Sequence, residues 1–205
     1  MRRLLIVRHG QSSWNATRRL QGQADTPLSD FGRRQAQAMA PLIAAMRPTM
    51  ALCSDLTRTR ETAALLGYPD ATQDPRLREI DVGEWSGRSI AELVAEDAEA
   101  FRGWRAGTHT PPGGESWSAF RARASSVITG LPKAETNDER VLVVAHGGVI
   151  RVLLDVLLGI SPGSVVPVEP AGLTVLRLGA GNGAAPAALE IYNRTADSPR
   201  LDPPD

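Results

Sequence analysis

We expect an α/β fold in three layers, an α/β/α sandwich in which helices cover both faces of a mainly parallel sheet. Two unbroken apolar runs, residues 4–7 and 141–145, predict buried strands over 3–8 and 140–145. Helix-like segments separate most of the predicted strands, which implies right-handed crossovers and parallel pairing. The last two predicted strands, 173–178 and 187–192, are joined by a turn-forming run over 179–183, which predicts an antiparallel edge.

The elements between these strands follow from their start and stop signals. Ser29 is a predicted helix N-cap, and Pro48 and Gly67 close two helices. In chain order we predict a helix over 29–46, a strand over 50–53, a helix over 55–66, an extended piece over 76–80, a helix of one to three turns opened by the capping-box pattern at 89–92, and helices over 115–130 and 147–158.

The length suits one domain, which we place at residues 1–195. Residues 96–115 contain a tryptophan, prolines and paired glycines, and we predict that this segment passes over the edge of the sheet. We therefore predict a small cap insertion at about 88–115. Residues 196–205 are polar and proline-rich, and we expect a flexible tail there.

Composition narrows the class of protein. Apolar residues make up 42% of the chain and the net charge is zero, so we expect a packed core and no pull toward nucleic acid. No apolar run approaches the roughly 18–20 residues of a membrane span. The single cysteine, Cys53, and the short N-terminal apolar run favour a reducing cytoplasm.

Polar groups follow three of the predicted strands. Arg8 and His9 end the first strand, His146 and Gly147 follow 140–145, and the segment after 50–53 leads to Arg58. Because ligands of an open α/β sheet bind outside the carboxyl ends of its strands, these groups predict one site. A neutral imidazole is a nucleophile toward phosphorus, arginines would hold phosphoryl oxygens, and a charged second imidazole would add a donor.

A carboxylic acid would protonate the leaving oxygen, and three residues are candidates: Glu79, Asp81 and Glu84. Other mechanisms fit less well. The chain has no Gly-x-Ser-x-Gly elbow for a serine esterase and no His-Glu-x-x-His pair for a metal. Arginines near the histidines would also repel a cation, so we expect neither a metal site nor a cofactor.

Several motifs, in the right order, resemble the histidine phosphatase superfamily, the phosphoglycerate-mutase-like proteins. The resemblance covers nearly the whole chain. Its motifs are Arg8-His9-Gly10-Gln11-Ser12-Ser13-Trp14-Asn15, Gln21-Gly22 with Thr26-Pro27-Leu28-Ser29, the run from Ser54 to Ala63, Leu77-Arg78-Glu79 with Gly83-Glu84-Trp85-Ser86-Gly87, Pro112-Gly113-Gly114-Glu115-Ser116, and Ala145-His146-Gly147-Gly148.

The resemblance implies a role for each site residue. His9 would be the phosphorylated nucleophile and Glu79 the proton donor. The residues alone leave Glu84 as a rival acid, and we expect Asp81 to be solvated or structural. Arg8, Arg58 and His146 would line the phosphate pocket. The remaining phosphate or substrate contacts would be Asn15, Gln21, Gly22 and Gly147, the last at a helix start whose free N–H groups favour an anion.

Within this superfamily the chain resembles the phosphatase branch, including alpha-ribazole-phosphate and broad-specificity phosphatases and actinobacterial phosphatases of sugar-phosphoglycerate esters. Its cap segment is shorter than that of the glycolytic mutases, which favours access of water. We therefore expect a monomeric or homodimeric phosphomonoesterase acting on a small phosphorylated metabolite. A cofactor-dependent phosphoglycerate mutase and a non-catalytic phospho-ligand binding module are the alternatives.

Five other residues have ordinary structural interpretations. We expect His109 to be a loop residue and Cys53 a buried inert thiol. Trp85, Trp104 and Trp117 are expected to pack the core or the cap.

Overall fold

A six-stranded sheet forms the centre of the molecule within residues 1–132, 138–179 and 187–196, the parts of the chain that this computed structural model describes. The strand order is β3-β2-β4-β1-β5-β6. The strands are β1 (Arg2–Arg8), β2 (Met50–Cys53), β3 (Thr72–Gln73), β4 (Glu139–Ala145), β5 (Leu173–Leu178) and β6 (Ala188–Arg194).

Strands β1 to β4 pair in parallel, and β5 and β6 add the antiparallel edge. The helices are α1 (Ser13–Ala16), α2 (Asp30–Met46), α3 (Thr57–Leu65), α4 (Ile90–Ala106), α5 (Trp117–Thr129) and α6 (Gly147–Leu158). Three short 3₁₀ turns lie at Pro75–Leu77, Gly83–Trp85 and Pro162–Ser164.

Alternating side chains of the central strands feed two separate cores, as the pleat of a doubly covered sheet requires. Leu4 and Ile6 pack with residues of α4, α5 and α6. Leu5 and Val7 pack on the opposite face with residues of α2 and α3. The three-layer α/β/α arrangement and the mainly parallel sheet are therefore confirmed.

The register of β1 against β4 decides where the functional groups lie. Arg8 pairs with Ala145, so His9 and His146 leave neighbouring strands side by side. The His9 backbone N–H donates to the carbonyl of Ala145 at 2.9 Å, which fixes this alignment one residue beyond the strands.

The cap segment differs most from the sequence prediction. In place of a helix of one to three turns, α4 spans 17 residues and ends at Gly107 in the left-handed region. Asp97 breaks the helical φ/ψ, and its side chain accepts the N–H of Ala100 at 2.8 Å, which restarts the helix. The segment after residue 96 is thus mostly helical, where the sequence suggested an irregular excursion.

Smaller corrections concern the sheet edge and the ends of the chain. The extended piece predicted at 76–80 is wrong at its start: Asp74 caps the 3₁₀ turn Pro75–Leu77, the short strand β3 precedes this turn, and extended backbone begins only at Arg78. Helix α3 begins at Thr57, two residues later than expected. Most of the turn predicted at 179–183 and of the tail predicted at 196–205 lies outside the described residues. The extent of the single domain remains a prediction.

Candidate active site

His9 and His146 meet at the carboxyl ends of β1 and β4. Their ring centroids are 5.2 Å apart, and the rings make an edge-on angle of 62°. Both side chains are buried. A cavity of about 100 Å³ adjoins His9, and its lining includes Arg8 and Arg58. His146 contacts His9 but is not part of the cavity wall. The strand ends that the sequence singled out therefore converge on one site.

The hydrogen bond of His9 fixes which ring nitrogen is reactive. Nδ1 lies 2.7 Å from the carbonyl oxygen of Gly10, which can only accept, so Nδ1 bears the proton. Nε2 then holds the lone pair. Burial lowers the pKa of His9 well below 6.5, and the neighbouring charges of Arg58 and Arg8 lower it further. The ring is consequently neutral at neutral pH, as a nucleophile must be.

His146 is also neutral in this structure. Burial lowers its pKa well below 6.5, and Arg58, His9 and Arg8 act in the same direction. The lowered pKa therefore argues against the sequence-based idea that a charged second imidazole supplies a donor. Neither ring nitrogen has a hydrogen-bond partner among the described residues. A neutral ring still has one N–H to offer to an anion.

Arg58 is held inside the site by the loop that faces it. Its side chain is almost fully buried, and its terminal nitrogens donate to the carbonyls of Ala24 at 2.7 Å and Gly22 at 2.8 Å. Its Nε has no partner among the described residues. Burial lowers the pKa of Arg58 to about 10, so the guanidinium stays charged at neutral pH.

The start of α3 gives Arg58 its position, and a distant side chain supplies the cap. The N-cap residue Leu56 provides no side-chain bond. Instead, Asp25 accepts the backbone N–H of Thr57 at 2.7 Å and its hydroxyl at 2.8 Å. One loop therefore caps the helix and binds the arginine that the helix presents.

A tight turn at 169–172 forms hydrogen bonds with the backbone of Arg8 and His9. The Ala171 N–H lies 3.1 Å from the carbonyls of both residues, and the N–H of Arg8 donates to Gly172. Ala171 has a φ of 61°, a left-handed conformation that is uncommon for a residue other than glycine. Arg8 also donates through Nη1 to the carbonyl of Val168.

Glu79 is the carboxylate that reaches the cavity. Its Oε2 accepts the N–H of Gly148 at 3.0 Å, and its Oε1 accepts the N–H of Ile80 at 2.9 Å. Glu84 is exposed and is not part of the cavity wall, and Asp81 accepts the N–H of Gly83 within its own turn. Of the three candidate acids, the geometry therefore favours Glu79.

Two side-chain amides complete the inner wall, and Ser12 orients both of them. The Gln21 carbonyl oxygen accepts the hydroxyls of Ser12 at 2.7 Å and Thr26 at 2.6 Å. The Asn15 carbonyl oxygen accepts the backbone N–H of Ser12 at 3.2 Å. Because each amide oxygen is occupied, the NH₂ groups remain as donors beside the cavity. Gly22 and Gly147 also line this wall.

Comparison with known proteins identifies the family. The family model described as histidine phosphatase superfamily (branch 1) matches residues 4–188. The chain belongs to the histidine phosphatase superfamily.

Named relatives in this superfamily include both phosphatases and a mutase. A glucosyl-3-phosphoglycerate phosphatase of Mycolicibacterium vanbaalenii is 39% identical over 170 residues, which cover 78% of this chain and 76% of that protein. A probable phosphoglycerate mutase GpmB of Salmonella paratyphi C is 36% identical over 172 residues, covering 78% and 76% respectively. A solved mycobacterial glucosyl-3-phosphoglycerate phosphatase with inorganic phosphate superposes with a TM-score of 0.81, at 34% identity and 96% and 99% coverage.

The outer wall of the site in this superfamily member was not predicted from the sequence. It consists of residues from α4, α6 and the loops before α2 and β5. They are Arg19, Leu20, Ile90, Trp104, Arg105, Arg151, Pro167 and Val168. Arg151 lies over the ring of Trp117 at 5.6 Å and donates to the carbonyl of Arg105 at 2.8 Å.

The ordinary interpretations of the remaining residues agree with the structure. Trp85 and Trp104 are buried, and Trp117 packs against the same core. His109 stacks on Trp85 at 5.7 Å and does not line the cavity. Burial raises the pKa of the Cys53 thiol to about 11, which makes it unreactive.

Two kinds of feature are absent from the described residues. Within 1–132, 138–179 and 187–196, no group of three or more His, Cys, Asp and Glu side chains is arranged to hold a metal ion. In the same part of the chain, no helix is long and apolar enough to cross a membrane.

Proposed function

We propose that this chain is a phosphomonoesterase that hydrolyses a small phosphorylated metabolite through a phosphohistidine at His9. One observation carries the proposal: a neutral His9 with its Nε2 lone pair available shares a cavity with two arginines and the carboxyl group of Glu79. Nucleophile, phosphoryl clamp and acid are the groups that this reaction needs.

In the first step, the Nε2 lone pair of His9 attacks phosphorus and a P–N bond forms. The P–O bond to the alcohol breaks, and the leaving oxygen takes a proton from the Glu79 carboxyl group. Each Glu79 oxygen accepts one N–H group and keeps a second lone pair, so a proton can reside there without displacing the backbone bonds. The Nδ1–H bond to Gly10 stabilises the positive charge that develops on the ring.

In the second step, water attacks the phosphohistidine while the Glu79 carboxylate accepts its proton. The P–N bond breaks, its electrons return to Nε2, and inorganic phosphate leaves. The sum is phosphoester plus water giving alcohol plus phosphate, with His9 and Glu79 restored. Arg8, Arg58 and an N–H of His146 would hold the phosphoryl oxygens, and the Asn15 and Gln21 amides, Gly22 and the Gly147 N–H would add contacts.

The relatives support hydrolysis of a small phosphoester as the reaction. The relative from Mycolicibacterium vanbaalenii is a glucosyl-3-phosphoglycerate phosphatase, and a solved phosphatase of this name is in complex with inorganic phosphate. Residues of the predicted cap, Ile90, Trp104 and Arg105, form part of the cavity wall. We propose that this segment selects the alcohol part of the substrate.

Rapid quench followed by analysis of the protein tests this function. We expect hydrolysis of p-nitrophenyl phosphate with and without EDTA, and an acid-labile, alkali-stable phosphoryl group on His9 during turnover. His9→Ala should abolish both signals, whereas His109→Ala, a histidine outside the cavity, should keep them. Phosphate release without any labelled His9 would overturn the mechanism. No turnover of any phosphomonoester would favour a phospho-ligand binding module.

A phosphoglycerate mutase is the second candidate, because the GpmB relative is nearly as similar as the phosphatase. A mutase returns the phosphoryl group to another oxygen of the substrate, so the two reactions differ in their products. Isomerisation of 3-phosphoglycerate, stimulated by a bisphosphoglycerate and faster than phosphate release, would assign the mutase. We expect phosphate release to dominate.

A further inference from the structure

The motif Pro112-Gly113-Gly114-Glu115-Ser116 lies outside the cavity wall, and its acidic residue forms an ion pair with Arg123 of α5. We propose that this Glu115–Arg123 pair positions the acid Glu79, an inference that rests on the proposed function. Neither residue touches the cavity, so both are positioning residues.

Every N–H group of the Arg123 guanidinium is used. Nε donates to Glu115 Oε1 at 2.9 Å, and Nη2 donates to Glu115 Oε2 at 2.6 Å. The other N–H groups donate to backbone carbonyls at and just before Glu79. Nη1 donates to those of Arg76 at 2.9 Å and Arg78 at 3.0 Å, and Nη2 donates to that of Glu79 at 3.2 Å. Only arginine offers five donors in a fixed plane.

The segment held in this way has no regular secondary structure of its own. Residues 78–81 lie between two 3₁₀ turns, so no helix or strand ladder satisfies their carbonyl groups. Arg123 binds the carbonyls at 76, 78 and 79 in place of such a ladder. The hydrogen bond from Arg123 to the Glu79 carbonyl fixes the backbone of Glu79. It therefore helps to place the Glu79 carboxylate, whose oxygens accept the N–H groups of Ile80 and Gly148.

Glu115 fixes the other end of the same segment. Its backbone N–H donates to the carbonyl of Asp81 at 2.9 Å, and its Oε2 lies 3.4 Å from the N–H of Asp81. Glycine allows these two segments of the chain to approach closely, because a Cβ at Gly83 would lie 2.2 Å from the Pro112 carbonyl oxygen. The motif is therefore shaped to pack main chain against the acid segment.

The pair is also fixed relative to the helix that completes the acid's environment. The Arg123 guanidinium lies 5.1 Å from the ring of Phe120, and a Cβ added at Gly148 would lie 3.0 Å from the same ring. Phe120 is fully buried. Arg123, Phe120 and the start of α6 thus form one packed unit around Glu79.

The dependence of the rate on the leaving group distinguishes a role in positioning Glu79 from a general structural role. Protonation matters for a basic leaving oxygen and little for an acidic phenol, so a misplaced acid slows poor leaving groups selectively. The probes are 2,4-dinitrophenyl, p-nitrophenyl and phenyl phosphate, which have similar shapes. The measured quantity is kcat/KM, which reports the step that forms the phosphohistidine.

Arg123→Lys keeps the positive charge but has too few donors for all five bonds. We expect kcat/KM to fall at least about tenfold for phenyl phosphate, a part of the 10²–10⁴ that a general acid contributes, and less than about threefold for the dinitrophenyl ester. Arg121→Lys is the matched control, because Arg121 lies on the same helix and its Nε donates to Asp155 at 2.7 Å, away from the Glu79 segment. Glu115→Gln is the second variant and should show the same selectivity.

A double-mutant cycle completes the test. If Arg123 acts through Glu79, Arg123→Lys causes no further loss in a Glu79→Gln background, whereas an independent structural effect adds to it. Equal losses on all three esters, additive losses, or unchanged rates would each overturn the inference while leaving the phosphatase assignment intact. A wild-type protein that hydrolyses none of the esters would overturn the proposed function itself.

Discussion

The backbone N–H of Gly148 donates to Oε2 of Glu79 at 3.0 Å, and a Cβ at residue 148 would lie only 2.0 Å from Oε1 of the same carboxylate. The acid therefore occupies the space that any other residue at 148 would fill. We predict that Gly148→Ala displaces Glu79 and lowers kcat on phenyl phosphate by about 10²-fold or more, the contribution of a general acid.

The neighbouring glycine provides the comparison for this substitution. A Cβ at Gly147 would have its nearest contact at 3.8 Å, an ordinary van der Waals distance, so Gly147→Ala should lose far less activity. Equal losses in the two variants, with both proteins folded by circular dichroism, would show that the space beside Glu79 does not decide the rate.

Arg58→Ala removes a buried charge and two bonds to the loop at 22–24. We predict a loss of roughly 10²–10³ in kcat, by analogy with the removal of an oxyanion donor. Arg60→Ala is the control, since Arg60 lies on the exposed face of the same helix and binds Thr57. Steady-state kinetics of the two variants measure the difference, and a rate that survives Arg58→Ala would remove this residue from the phosphate pocket.

Stability should decrease below about pH 6.5 because both site histidines are held neutral by burial. In the unfolded chain they bind protons near 6.5, whereas in the folded protein they bind them only at much lower pH. The unfolded state thus binds more protons in this window, and the free energy of unfolding falls as pH falls, by at most about 1.4 kcal/mol per pH unit for each histidine.

Urea denaturation at about pH 7.5, 6.5 and 5.5, above the range in which most carboxylates titrate, measures this slope. His9→Gln should reduce it, and His109→Gln, outside the site, should not. A free energy of unfolding that stays constant across these pH values would contradict the burial of neutral histidines.

Activity should persist into mildly acidic solution for the same reason. His9 loses its nucleophilic lone pair only when it gains a proton, and its pKa is well below 6.5. We therefore predict a bell-shaped profile of kcat/KM with an acidic to neutral optimum, whose acid limb lies below pH 6.5. An acid limb centred above this value, or a rate that still rises at about pH 10, would contradict the His9–Glu79 pairing.

Thr26→Val should weaken phosphate binding through Gln21. The hydroxyl of Thr26 donates to the Gln21 carbonyl oxygen at 2.6 Å, and valine has the same shape without this donor. We expect a KM increase of about tenfold, from the loss of roughly 1.4 kcal/mol, with a smaller effect on kcat. Inhibition by inorganic phosphate should weaken in parallel, and Thr26→Ser should restore both values. A change confined to kcat would exclude this role.

Local signals made much of the site predictable. The runs 3–8 and 140–145 end directly in His9 and His146, and a strand that ends at its carboxyl edge delivers the next residue to the cleft. Ser29 and Ser89 cap helices as expected, because a cap depends on residues within one turn.

Long-range contacts decided what the sequence did not predict. Asp25 caps α3 from a separate loop, and Ala171 adopts its left-handed turn beneath Arg8 without glycine's freedom. Arg105 and Arg151 reach the cavity only because α4 and α6 pack beside it. The neutral state of His146 depends on burial and on cations from other elements, which no spacing in the chain records.

The central pairing of β1 with β4 has a consequence for how the chain acquires activity. Strand β1 lies between β4 and β5, which both come late in this sequence, so it has no sheet partner until residues 139–145 have been made. Such non-local pairing is slow to form, and both halves of the histidine pair depend on it. A nascent or partly refolded chain is therefore inactive until β1 has been inserted between β4 and β5, and the recovery of turnover reports this insertion.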